Sequence, residues 1–293
     1  MKRYFIFIFI LCCALPVHSI SSYKASYDLY GQTDLGNIKF GSAEYELIVA
    51  NNSYVFTSNA KTDKLWSAIY DYLRIETSIG LIKDNKLISD YYKIIENQGD
   101  SISDNYEINI YTNERYVSLN NAIIGNALTK SNFEKLSDKE LILKAIGSGH
   151  YTKIEFGGSQ ALDPNVPSYK KELANREELI EALLESIWEI NSPDIVDALS
   201  IYLHISEDIQ KYPNKKVFIY QVVDKKGVNQ REFTIEGFET INIDNNEVET
   251  IRIICPELDL IFNVSKDHNF MPVYINKTNG KTNYRLTLKD YKE

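Results

Sequence analysis

Apolar and polar residues alternate through most of this chain, in short runs broken by turn residues. Tyr23-Lys24-Ala25-Ser26-Tyr27-Asp28-Leu29-Tyr30 runs up to Gly31, Phe40 to Val49 comes next, and Tyr54 to Ala60 lies beyond a turn at Asn51-Asn52. Successive side chains of a strand point to opposite faces, so such runs bury one face and leave the other wet. Ile69 to Ile82 reads as two further β-like stretches, and Asp84-Asn85 turns the chain into Leu87 to Ile95. Tyr106 to Tyr111 and Tyr116 to Leu119 add two short strands. Connections this short suit an antiparallel meander and leave no room for crossover helices between parallel strands.

The middle of the chain changes period. Ser137-Asp138-Lys139-Glu140 is a capping-box pattern ahead of Leu141-Ile142-Leu143. Gly157 to Pro167 is a loop, and Tyr169 to Ile190 reads as a helix striped by Leu173, Ile180, Leu183, Leu184 and Ile187, with Trp188 widening the stripe. Pro193 breaks it, and Asp194 to Gln210 reads as helical again, with Asp194 as its cap. Strands then return: Val217 to Val223, Gln230 to Glu236, Phe238 to Ile243, Glu247 to Cys255, Leu258 to Val264, Met271 to Asn276 and Tyr284 to Lys289. The expected fold is therefore mainly β, a strongly curved antiparallel sheet or half-barrel with two to three helices packed against its concave side, as one domain over 20–293 with a helical insertion at about 125–210.

Met1-Lys2-Arg3 ahead of the apolar run Tyr4 to Leu15 is a signal-peptide pattern, with cleavage expected before Ile20. The run is too short to span a bilayer, so no transmembrane segment is expected after cleavage and the mature protein is read as periplasmic or otherwise exported. Cleavage removes Cys12 and Cys13 and leaves only Cys255, which excludes an intramolecular disulfide and fits a core hydrophobe. It also removes two cations from a chain whose net charge is already −9. A surface of that sign repels phosphate backbones and argues against nucleic acid as a partner.

Several motifs resemble the bacterial domain-of-unknown-function family 3108. Tyr23-Lys24-Ala25-Ser26-Tyr27, Gly41-Ser42-Ala43 and Tyr54-Val55-Phe56-Thr57-Ser58-Asn59-Ala60-Lys61 stand in that family's order. Arg74 to Gly80, Tyr91-Tyr92, Asp197-Ala198-Leu199-Ser200 and the ending Leu258 to Val264 with Met271-Pro272-Val273 are similar to its later segments. Ser89-Asp90 departs from it, where a proline is expected before Tyr91, and so do the longer, more helical residues 125–191. The resemblance implies export and a curved antiparallel sheet. It brings no activity and no catalytic residues.

No constellation for catalysis or metal binding is legible. His150, His204 and His268 lack metal-ligand spacing, and His204 reads as a satisfied core histidine. Gly147-Ser148-Gly149-His150 lacks the strand–turn–helix setting of a nucleophile elbow, and Gly157-Gly158-Ser159 lacks the lysine of a phosphate loop. No cofactor and no metal are expected. The one candidate binding face is Trp66, Tyr70, Tyr72 and Arg74, where a spacing of two sets Tyr70, Tyr72 and Arg74 on one side of a strand. Such a face suits an aromatic, sugar or lipid ligand, and equally a cross-strand ladder in which Arg74 meets a carboxylate.

The leading expectation is a non-enzymatic exported envelope protein that holds a lipid or other apolar ligand in a groove of the curved sheet. A periplasmic interaction or assembly factor, docking an envelope protein through exposed sheet edges, is the second. A cell-wall or polysaccharide hydrolase is the third, and it requires two carboxylates facing each other across a cleft.

Overall fold

Chain order and spatial order agree along two arms that meet at a seam. The computed structural model describes residues 20–33, 36–67, 71–84, 86–98, 101–113, 115–119, 134–137, 140–141, 180–181, 183–184, 187–190, 194–243, 246–279 and 282–293. The first arm holds β1 (Tyr23–Thr33), β2 (Gly36–Ala50), β3 (Ser53–Thr62), the short helix α1 (Lys64–Ser67), β4 (Tyr72–Lys83), β5 (Lys86–Gln98), β6 (Ser101–Tyr111), β7 (Tyr116–Leu119) and β8 (Ile187–Glu189). The second holds β9 (Ile195–Asp197), helix α2 (Ile201–Lys211), β10 (Val217–Asp224), β11 (Gly227–Ile243), β12 (Asn246–Cys255), β13 (Leu260–Ser265), β14 (Met271–Asn279) and β15 (Thr282–Lys292). All fifteen strands lie in one sheet running from β8 back to β1, across the β1–β15 seam, and down to β9. Every pairing is antiparallel except β9 with β10. The fold expected from alternation is thus the fold found.

The sheet curls until its two ends meet. Register shifts mark bulges at Ile79/Gly80, Glu96/Asn97, Ile235/Gly237 and Asn263/Val264, and each bulge bends its strand. Side chains then bridge arms that share no ladder: Ser78 of β4 donates to Asp197 of β9 at 2.6 Å, and Lys225 in the β10–β11 turn pairs with Asp104 of β6 at 2.5 Å. The result is barrel-like. At the seam the Tyr27 hydroxyl donates to the Pro272 carbonyl at 2.7 Å, tying β1 to β14.

Helix α2 fills the interior. Ile201, Tyr202, Leu203, Ile205, Ser206 and Ile209 are all buried and form one broad face of the helix turned to the core. The Tyr202 ring lies 6.5 Å from Tyr45 of β2 and 5.3 Å from Phe262 of β13, so it spans both arms. The Ser206 hydroxyl reaches the Phe270 carbonyl at 2.6 Å. That contact places the helix toward the β13–β14 turn, the end of the interior that Tyr27, Tyr45, Phe56, Phe218, Phe233 and Phe262 pack with rings.

Several local expectations need correction. Ile69 to Ile82 is not two stretches: β4 runs unbroken from Tyr72, because its inward positions stay paired with β3 throughout. The strands expected at Gln230 and Phe238 are one, β11, with Glu236 bulged out of register. Residues 187–189 pair with β7 as β8, so Trp188 belongs to a strand and not to a helix stripe. Residues 195–197 likewise pair with β10 before α2 begins, and the residue that organises the helix entry is Asp197 rather than Asp194. His204 is half-buried, its enclosed Nε2 has no hydrogen-bond partner, and desolvation holds its imidazole down at about 4. The capping box does form, with the Ser137 amide donating to Glu140 at 2.8 Å. The signal-peptide residues, most of the helix expected over 169–190, Gly147 to His150 and Gly157 to Ser159 lie outside the described residues.

Candidate functional site

Strand β4 turns Tyr72, Arg74, Glu76, Ser78 and Gly80 inward, and these residues build two polar clusters one above the other. The deeper one sits where α2 begins. The Asp197 carboxylate accepts from the Ser78 hydroxyl at 2.6 Å and from the backbone amides of Leu199 and Ser200 at 2.9 and 2.8 Å. Ser200 Oγ lies 2.9 Å from Ser89 Oγ, and Ser89 Oγ lies 3.0 Å from the Tyr54 hydroxyl. Burial pushes the Asp197 carboxyl above its ordinary value, and its bonds to Ser78 and Ser200 pull it part of the way back. The cluster fastens the helix entry to β4 and β5. Gly80 makes room for it: a Cβ there would sit 2.0 Å from the Ile88 carbonyl oxygen and 2.6 Å from the Tyr54 ring.

The second cluster lies nearer the β14–β15 turn. Arg74 stands directly opposite Glu96 on β5 and two residues before Glu76 on its own strand, so a period of two brings all three together. The guanidinium forks onto Glu76, with Nε donating to Oε2 at 2.9 Å and Nη2 to Oε1 at 3.0 Å. Its Nη1 donates to Glu96 Oε2 at 2.5 Å, and the Tyr92 hydroxyl donates to Glu76 Oε1 at 2.5 Å. Burial alone would raise the Glu76 carboxyl. The Arg74 charge and the bonds from Arg74 and Tyr92 outweigh it and hold the group at about 2.

The far arm completes this end. Tyr284 of β15 stacks on Tyr72 with ring centroids 5.8 Å apart and planes at 17°. β4 and β15 are separated in the sheet by β3, β2 and β1, so this contact crosses the interior. Lys277 lies opposite Tyr284 on β14, on the face that carries buried Met271, Val273 and Ile275. Its amine is lowered chiefly by burial and next by Arg74, while Glu76, Glu96 and Asp224 act the other way. Yet its side chain is solvent-exposed. Both observations hold for a group ringed by both arms at an end that water still enters.

The four residues singled out in the sequence separate. Tyr72 and Arg74 face inward within this cluster. Trp66 lies half-buried in α1, off the strand, and Tyr70 lies outside the described residues. Sequence patterns do not single out Glu76, Tyr92, Glu96, Tyr106, Lys277 or Tyr284. Arg74-x-Glu76 carries a usable signal, because two residues so spaced on one strand share a face. Nothing in the sequence links Lys277 or Tyr284 to β4. Among the described residues no group of histidine, cysteine and carboxylate side chains gathers to hold a metal ion, and no helix is long and apolar enough to cross a membrane. Cys255 is fully buried, with its thiol pushed up to about 12 by burial first and Glu257 second.

No family model matches the chain, and no curated protein does. Among solved structures it is similar to a β-barrel-like protein of domain of unknown function DUF1849 from Brucella abortus, with 8% sequence identity, 93% of this chain and 98% of the other covered, and a TM-score of 0.46.

Proposed function

We propose that this is an exported bacterial envelope protein that binds a lipid or other amphiphile at the polar end of its barrel-like sheet, and does no chemistry on it. The supporting observation is the inner surface of that end. Tyrosine rings from both arms surround Arg74 and Lys277, and solvent reaches Lys277 although it projects between the arms. Among the described residues α2 occupies the opposite end, which leaves the polar end for a ligand. Export rests on the leader pattern and on the resemblance to family 3108. The absence of chemistry is supported by the state of the paired carboxylates. A hydrolase acid needs a raised value, whereas Glu76 is held at about 2 and shares Arg74 with Glu96. The test is native purification from the producing cell's envelope followed by mass spectrometry. An amphiphile released on denaturation is expected, and protein repeatedly recovered empty would refute the reading.

A second reading has its own observation. Ile48, Val55 and Ile79 are successive cross-strand neighbours on the outer face of β2, β3 and β4. Ile48 is 51% exposed, Ile79 38% and nearby Leu81 47%. An outward apolar row suits docking to an envelope protein. In-cell crosslinking from position 79 distinguishes the two readings, because defined protein adducts there favour docking.

A further inference from the structure

We propose that Lys277 is the contact for an oxyanion, a phosphate or carboxylate carried by the ligand, at the mouth flanked by Tyr72 and Tyr284; this deepens the binding reading above and depends on it. The Lys277 ammonium has no bonded acceptor at this mouth among the described residues. On the acceptor side, Glu76 takes two bonds from Arg74 and one from Tyr92, and Glu96 takes one from Arg74. Both carboxylates are engaged by Arg74, whose single positive charge offsets one of their two negative charges, while Lys277 offsets the other from a distance.

On the donor side, several groups make no bond. A guanidinium has five N–H groups, and these bonds occupy three of Arg74's. The Lys277 ammonium has three more, and among the described residues it makes no hydrogen bond or ion pair. Arg74, Glu76, Glu96 and Asp224 all act on it through space without touching it. The Tyr106 hydroxyl, on the inward face of β6 beside Tyr92, likewise has no hydrogen-bond partner among the described residues. Such a site is completed by an acceptor, and an anionic acceptor makes the stronger bonds.

Placement agrees with chemistry. Lys277 is the last inward residue of β14 before the turn with described surroundings, two positions past buried Ile275. Its ammonium therefore marks the level at which the interior changes from apolar to wet. The neighbouring Tyr72–Tyr284 pair offers an aromatic wall to whatever group carries the anion. The depressed amine value fits as well, since an ammonium without a bonded anion in an enclosed site loses its proton more easily.

The test is calorimetric titration of the full mature chain with four probes: dodecyl phosphate, laurate, inorganic phosphate and octyl glucoside, each below its micelle concentration. Binding of at least one anionic amphiphile is expected, with octyl glucoside at least tenfold weaker. Lys277→Gln should weaken the anionic probe by tenfold or more, and Lys277→Arg should recover most of the loss. Both variants should melt as the parent does, because the side chain is exposed. Inorganic phosphate bound as tightly as dodecyl phosphate, with the same loss in Lys277→Gln, supports the oxyanion site and overturns the amphiphile as its source. Equal affinity for octyl glucoside, or unchanged binding in Lys277→Gln, overturns the oxyanion and leaves ligand binding standing. Silence from all three anionic probes overturns the oxyanion site, while the mass-spectrometric test still decides the wider reading. As a second readout, ¹³C-dimethylated Lys277 should titrate below ordinary lysines and move up when an anionic probe binds; a resonance unmoved by saturating probe counts against the contact.

Discussion

The two ends of the interior solve the same problem in opposite ways. A sheet curled this far encloses more space than its own inward side chains fill. At the β13–β14 end the space is taken by α2 and a ring-rich core, in which Tyr202 touches Tyr45 and Phe262 from opposite arms. At the β14–β15 end it is lined by Arg74, Glu76, Glu96, Lys277 and tyrosines, and nothing comparable to α2 enters among the described residues. One end is finished by the chain itself. The other keeps charges in a half-enclosed setting, which costs stability unless every charge finds a partner. Arg74 bonds both glutamates, and Lys277 balances the second negative charge from a distance, making no bond of its own among the described residues.

The largest expected effect breaks the polar end. Arg74→Met strands two carboxylates of which Glu96 is 5% exposed and Glu76 8%. Removing one partner of a buried charge group costs about 3–5 kcal/mol, and urea unfolding should read it. Ile205→Ala is its counterpart in the helix end, at a fully buried position, with an expected loss of about 2–5 kcal/mol. If Arg74→Met costs less than a surface substitution, the triad is merely decorative and the contrast between the ends fails.

Next comes the junction between them. Asp197→Ala removes the acceptor for Ser78 and for two backbone amides. Each buried donor left unpaired costs about 1–3 kcal/mol, so hydrogen exchange of the α2 amides should accelerate well before that of β1 to β3. Asp197→Asn keeps one carbonyl oxygen for the amides and should fall between the parent and Asp197→Ala.

How far these elements are legible in the sequence depends on their contacts. β1, β2, β3 and β14 are readable because neighbours in sequence are neighbours in the sheet, and one run of alternation carries the whole signal. The turn at Asn51-Asn52 is readable because both residues take left-handed φ, 50° and 59°, which asparagine tolerates well. β8 and β9 escape because three-residue strands carry too little periodicity, and because Ile187 also completes a helical stripe. Half of the site comes from Arg74 and Tyr72 sharing a face. The other half, Lys277 and Tyr284, is supplied by closure of the sheet, which no local pattern encodes.

Acid titration separates the ends by pH. His204 belongs to the helix end and is held at about 4, below its ordinary 6.5. The unfolded chain therefore takes up that proton first, and stability is lost as pH falls from 6.5 toward 4. Glu76 belongs to the polar end and is held at about 2, below its ordinary 4.5. Its contribution is present above 4.5 and is lost as pH falls toward 2. Glu207, raised to about 7 by burial and then by Asp208, slopes the other way between 4.5 and 7. Differences from the parent isolate each contribution: the gap between parent and His204→Leu should change only between 6.5 and 4, and that between parent and Glu76→Gln only below 4.5. Gaps that coincide in pH would show that the two ends titrate as one.

The smallest effect draws the boundary most finely, within a single strand. Ile275 and Lys277 share the inward face of β14, two residues apart, the first 4% exposed and the second open to solvent. Ile275→Ala should cost about 2–4 kcal/mol, because it opens a hole against Phe262 and Leu286, its partners on either side. Lys277→Met should change stability by no more than about 0.5 kcal/mol, as substitutions at solvated positions do. It removes no bond, and it relieves an amine that burial and Arg74 already disfavour. A drop of several kcal/mol in Lys277→Met would mean that the ammonium holds the two arms together, and the boundary between filled and open interior would then lie beyond residue 277.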